Sequence, residues 1–319
     1  MSKLQEVLTC NRIDRLFIFH WIAALLFFTA PSLQAQQTAQ AQQTAPLLEI
    51  QDLKLPVSKN EITIYYSPGY EKKVLEVRPL VEGMMKFYEE KLKVKKDLAV
   101  VIVTRQDWEK LSAASNYPYG IPFVTPAPHY AFLPATEDNA ATSRFLPLKD
   151  KISPSQLSEI KGSGFQFESA AVKFVDLIAL HEVGHVYSVT YGINPQNHWF
   201  DEFLATYFAY AYLKQAHPKL ATLFTVMSSI HDPTYSPKYT SLEDFERLYF
   251  GVGLENFAWY QFKLNQKVAQ VCQRKSLAFL EDVRRAFPLS EKQGIEPQVA
   301  LERLEKIDPG FVEWAKNLN

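Results

Sequence analysis

The segment LIALHEVGHVY, Leu177 to Tyr187, is apolar except for two histidines, a glutamate and one tyrosine hydroxyl. Its apolar residues demand burial, yet buried polar groups without partners are costly. The chain must therefore bring those groups to a common partner inside the fold. Residues four apart on an α-helix share a face, one turn above the other, and His181 and His185 have that spacing. Two imidazoles so placed can bind one zinc ion. Glu182 would then lie beside the metal, where it can take a proton from the water that the metal activates. At this chain's residue frequencies the H-E-x-x-H pattern arises by chance on the order of 0.01 times per sequence of this length. The bland alternative is a pair of hydrogen-bonded core histidines with a helix-surface acid.

A catalytic zinc takes three protein ligands and leaves one position open. HWFDEFLATYFAY, on a second predicted helix from about Trp199 to Gln215, offers Glu202, 17 positions after His185. HEVGH followed by WFDEFLATYFAY resembles the gluzincin metallopeptidases, the clan of thermolysin and the alanyl aminopeptidases, whose second motif reads W-x-x-E-G-x-A-T-Y. Trp199, Glu202, Ala205, Thr206 and Tyr207 occupy the matching places; Phe203 stands where glycine is usual, and the spacing after His185 is slightly short.

The resemblance implies a single zinc ion held by His181, His185 and Glu202, with Glu182 as general base and a peptide or protein as substrate. It implies an α+β fold, a small mixed sheet and the HExxH helix followed by a mainly helical half. It also implies an edge strand that pairs with substrate backbone, for which His129 to Leu133 is the candidate. A downstream tyrosine or histidine would serve the oxyanion: Tyr249, with His231 and Tyr239 as alternatives. Thr206 is a candidate to orient an imidazole. PHYAFLPA lacks the G-x-M-E-N motif of the aminopeptidase branch, and GLEN at Gly253 to Asn256 follows the zinc motif instead of preceding it, so an endopeptidase is favoured. The competing reading is a peptidase-like module that holds zinc without turnover and serves as an envelope interaction protein.

Elsewhere, EITIYYS (Glu61 to Ser67) alternates as a strand, Glu71 to Leu92 repeats its apolar residues at helical spacing, and DLAVVIVT (Asp97 to Thr104) suits a buried strand. Prolines on both sides of His129 to Leu133 favour an edge position there. Lys149 to Gly164 reads as a polar loop, Glu168 to Ser188 as a helix, and Thr240 to Asn319 as almost all helix, with Asp308 capping a last helix and Pro309 in its first turn. The predicted domain, 47–319, thus has an α/β half (47–190) and a helical half (191–319). Substrate selection would fall to loops such as Asn116 to Pro128 and Ser228 to Lys238.

Lys and Arg number 34 against 35 Asp and Glu, so overall charge suggests neither nucleic acid nor anionic membrane as a partner. The apolar run Leu16 to Ala30, after a basic stretch and before small residues, reads as the core of a signal peptide (1–35), with cleavage after Ala35 or at Ala39 to Ala41. At about 15 residues it is short for a bilayer span of about 20. An uncleaved anchor is the alternative; in either case the protein is expected to be exported, to the periplasm or beyond. Residues 36–46, rich in Gln, Thr and Ala, read as a flexible linker. Without Cys10 the mature chain keeps only Cys272, expected as a small buried apolar residue, so the fold must hold without disulfides.

Overall fold

The β-branched runs form the centre of a mixed sheet. The computed structural model describes residues 49–111, 117–230, 235–249, 251–291 and 294–318, and the expected signal segment and linker lie outside them. Strands β1 (Val57–Lys59), β2 (Thr63–Tyr66), β3 (Ala99–Val103), β4 (Phe123–Val124) and β5 (Tyr130–Pro134) align in the order β1-β2-β3-β5-β4. β2, β3 and β5 are parallel neighbours, and β1 and β4 run antiparallel at the two edges. Strand alternation separates two cores. Val100 and Ile102 of β3, with Ala131 and Leu133 of β5, enter the main core. Val101, Val103, Tyr130 and Phe132 face the other way, onto Trp108, Tyr119 and Phe123.

The expected edge strand is not at the edge. β5 is an interior strand with β3 on one side and β4 on the other. Pro126 and Pro128 sit in the connection between β4 and β5, and Pro134 ends β5 beyond the two residues that β4 pairs, so no proline interrupts the β4 ladder. Thr125 closes that connection: its N–H donates to Tyr130 O at 3.1 Å, and its Oγ1 accepts from Tyr130 N at 3.0 Å and donates to Pro128 O at 2.9 Å. Phe123 and Val124 are folded back onto β5 and become the edge.

Helices supply the rest: α1 (Glu71–Leu92), α2 (Arg105–Trp108), α3 (Ala140–Phe145) running into a 3-10 turn at Leu146–Lys151, α4 (Pro154–Gly162), α5 (Phe167–Thr190), α6 (His198–Ala216), α7 (Pro218–Ser228), α8 (Leu242–Leu248), α9 (Leu254–Lys275), α10 (Ala278–Ala286), α11 (Pro297–Ile307) and α12 (Phe311–Lys316). The class is α+β, as expected, and residues 46–319 form one compact unit. Among the described residues no helix is long and apolar enough to cross a membrane. Two expectations are corrected. Lys149 to Gly164 is largely helical: Ser153 and Gln156 form a reciprocal capping box that starts α4. Asp308 does not cap α12; it is buried and accepts from Arg274 Nε at 3.1 Å, while Gly310, at φ 98°, takes the N-cap position.

The crossing of α5 and α6 decides where the site forms. A Cβ built on Gly184 would lie 2.3 Å from Ala205 O, so only glycine permits this approach. Phe203, the departure from the gluzincin pattern, is fully buried and points away from the crossing into rings of the helical half, 5.9 Å from Phe279 and 5.5 Å from Phe311. Burying such a side chain stabilises by about 1.5–3 kcal/mol. α5 is tied to α1 by Asp176, buried and within 2.5 Å of Lys73 Nζ.

Candidate metal centre

α5 is buried almost throughout, and its polar face carries His181, Glu182 and His185, while α6 presents Glu202 one turn from its start. The close crossing at Gly184 brings the two faces together. His181 Nε2 lies 3.1 Å from Glu202 Oε2 and 3.2 Å from His185 Nε2; His185 Nε2 lies 3.8 Å from Glu202 Oε1. All three side chains offer ligand atoms within 4.8 Å of one another, and the group can hold a metal ion.

The outer sides of these groups are held by the protein. Thr206 Oγ1 is 3.1 Å from His181 Nδ1, and His185 Nδ1 donates to Asp201 Oδ2 at 3.0 Å. Both contacts turn Nε2 inward, which is how outer partners orient metal-ligating histidines. Glu202 is clamped as well: Tyr249 Oη donates to Oε1 and Gln261 Nε2 to Oε2, each at 2.5 Å. Burial alone would raise the Glu202 carboxyl; the imidazoles of His185 and His181, with the Tyr249 hydroxyl, reverse this and hold it down at about 2. Burial alone would strip His185 of its proton; Asp201 and Glu202 outweigh it and push the imidazole up to about 10. Buried carboxylates that raise a neighbouring base so far create a demand for positive charge. Glu182, beside the group, is pushed up to about 7, chiefly by burial, with the two histidines pulling against it.

The centre opens into a cavity of about 740 Å³. α5 runs along its floor: Phe174 and Ile178 line it before His181, and Val186 and Val189 after His185. The opposite wall is Tyr117, Phe123 and Val124, from edge strand β4 and the segment before it, and the helical half contributes Tyr249 and Gln261.

Of the residues expected from sequence, His181, Glu182, His185, Glu202, Thr206 and Tyr249 are brought together here. Tyr239 is not: its backbone N–H and C=O are bound by the side chain of Asn256, and it does not line the cavity. His231 lies outside the described residues. Sequence reasoning missed Asp201, Gln261, Tyr117 and His198, the last stacked on Tyr249 at 4.2 Å between ring centroids. Asp201 had a visible signal, since it adjoins Glu202 in the first turn of the same helix; Tyr117 falls within the Asn116 to Pro128 segment expected to shape the substrate site, though the residue itself was not singled out, and Gln261 had no signal. No protein-family model matches the chain, and no curated protein is significantly similar to it.

Proposed function

We propose that this chain is an exported zinc metallopeptidase of the gluzincin type, an endopeptidase acting on peptides or proteins in the cleft above α5. The observation that carries the reading is the convergence of two Nε2 atoms and one carboxylate, 3.1, 3.2 and 3.8 Å apart, beside the carboxylate of Glu182. Donor atoms about 2.0–2.1 Å from a tetrahedral zinc ion lie about 3.3 Å from one another. The two Nε2 atoms, 3.2 Å apart, match that spacing, and Glu202 reaches His181 through Oε2 at 3.1 Å and His185 through Oε1 at 3.8 Å, which supports a zinc ion held by these three residues. When bound, zinc supplies Lewis acidity toward a carbonyl and lowers the pKa of water to about 7.

The chain's own residues do the remainder. Glu182 accepts the proton of the attacking water and returns it to the leaving nitrogen. Asp201 and Thr206 hold the imidazoles in the tautomer and orientation that leave Nε2 free. The cleft wall made by β4 offers the sheet edge to an extended peptide, a case of strand addition. Burial of Glu182 and Glu202 keeps water from screening the charges that act on the scissile carbonyl.

The test is metal analysis of the purified protein, together with mass spectrometry of a peptide mixture incubated with wild type and Glu182→Gln. One zinc per chain in both proteins is expected, with cleavage lowered 100-fold or more in the variant, about the contribution of a general base. Stoichiometric zinc without cleavage by wild type would turn the reading into that of a zinc-holding interaction module. A folded protein that takes up no zinc would remove both.

A further inference from the structure

Peptide-bond hydrolysis in this cleft needs a donor for the negative charge that builds on the carbonyl oxygen as water adds. The helical half does not supply a free one among the described residues expected for it. Tyr249 donates to Glu202, and Tyr239 lies outside the cavity. On the opposite wall, Tyr117 lines the same cavity as His181, Glu182 and His185. Its hydroxyl has no hydrogen-bond partner among the described residues, and the residue is 41% exposed.

The ring is nevertheless fixed. It lies flat on Phe123, 4.3 Å between centroids and 3° between planes, and Phe123 lies flat on Phe132 of β5 at 4.7 Å and 4°. The Tyr117 carbonyl accepts from Trp108 Nε1 at 3.1 Å. A stack of three rings thus runs from the sheet interior through the edge strand to the cleft, and it ends in a phenol. A tyrosine placed only for packing buries its ring and pairs its hydroxyl; this one leaves one face and its hydroxyl to the cleft. A ring held on one face has little rotamer freedom left to lose, which is what a preorganised donor requires.

We propose, resting on the peptidase reading above, that Tyr117 is a catalytic residue whose Oη donates a hydrogen bond to the scissile carbonyl oxygen from the sheet side of the cleft. The phenol is protonated for this purpose, because burial, and then the charges of Glu182 and Glu202, raise its pKa above the ordinary value. No proton is transferred: the hydrogen bond strengthens as the oxygen gains charge and relaxes as the carbonyl re-forms.

The experiment compares the zinc-loaded full chain with its Tyr117→Phe variant, which keeps the ring stack and removes only the hydroxyl. Steady-state kinetics on a cleaved peptide are measured beside calorimetric binding of two inhibitors, a peptide phosphonate and a peptide hydroxamate. The phosphonate carries a tetrahedral centre with an anionic oxygen where the carbonyl oxygen would be, and the hydroxamate does not. The expected result is a fall in kcat of about 100-fold, the effect of removing one such donor, with KM changed less than about threefold. Phosphonate affinity should weaken by about 30-fold or more, with hydroxamate affinity, zinc content and melting temperature unchanged. Unchanged kcat and phosphonate affinity, or a change in KM alone, would overturn the assignment and leave the peptidase reading standing. A zinc-loaded wild type that neither cleaves peptides nor binds the phosphonate would overturn both.

Discussion

Two groups of charged residues in this molecule, each built around buried members, are resolved in opposite ways. In the helical half, Lys267, Arg274, Glu305 and Asp308 close on one another and on the backbone. Lys267 Nζ donates to Gly310 O at 2.7 Å, Arg274 Nε to Asp308 Oδ1 at 3.1 Å, and the Glu305 carboxylate accepts from Gly310 N at 3.0 Å and Val312 N at 2.9 Å. Each charged group has its partner in the chain, a backbone group or an opposite charge. Under the cleft, His181, His185 and Glu202 find Thr206, Asp201, Tyr249 and Gln261 on their outer sides, while their remaining donor atoms converge. Pairwise closure ties α9 to the C-terminal turn. Convergence with all outer positions taken is the arrangement of a centre that can hold a cation.

The comparison breaks most readily at the metal. Chelation of the wild type should lower its stability by about 4 kcal/mol relative to protein with free zinc at a thousand times its dissociation constant. Thermal melts would show this, and the Glu202→Ala variant should show no such response. Asp201→Asn, which weakens the hold on His185 Nδ1, should cost roughly 10- to 100-fold in zinc affinity by competition titration. The helical half should be indifferent to zinc and sensitive to its own partners: Asp308→Asn, which leaves Arg274 without its carboxylate, should destabilise by about 1–2 kcal/mol in urea melts with zinc content unchanged.

The smallest effect is one of pH. Burial pulls the Lys267 ammonium down to about 8, with Asp308 opposing. Below pH 8 both folded and unfolded chains carry the proton, and the full burial cost is present. Between 8 and the ordinary lysine value of 10.5 the unfolded chain binds more protons than the folded one, so this residue's contribution to stability rises with pH, by at most about 1.4 kcal/mol per pH unit. Urea melts of wild type and Lys267→Met should show that rise in the first and its absence in the second. An equal slope in both would mean that Lys267 is solvated as an ordinary surface lysine.

What could be read from sequence follows from where each signal resides. α5 and α6 were legible to within two residues, because an apolar run interrupted by His181, Glu182 and His185 has few ways to be buried. Glu202 followed from the resemblance of WFDEFLATY to the gluzincin motif, and Thr206 from its place four residues after Glu202. Gln261 was not legible, because it reaches the centre from a distant helix without a pattern of its own, and Tyr117 was legible only as part of the Asn116 to Pro128 segment. β5 was misplaced for a related reason. Proline breaks a ladder only where its nitrogen would have to donate: Pro126 and Pro128 belong to a connection that folds Phe123 and Val124 over the edge, and Pro134 ends β5 past the residues that β4 pairs. Asp308 was misread because capping is a local inference, whereas its partner Arg274 lies on another helix. Ser153 and Gln156, by contrast, carry a purely local signal, the S-x-x-Q spacing of a capping box.

The crossing of α5 and α6 has a further consequence. Every expected metal donor lies between His181 and Glu202, on two helices joined only by residues 191–197. The entropy cost of closing a loop grows with the logarithm of its length, so these donors meet at less cost than donors drawn from remote parts of a chain. The centre is thereby a property of one helical hairpin, which the sheet roofs and the C-terminal helices brace. As a unit of inheritance or of engineering, that hairpin is the piece that must travel whole, with a glycine at its narrowest point.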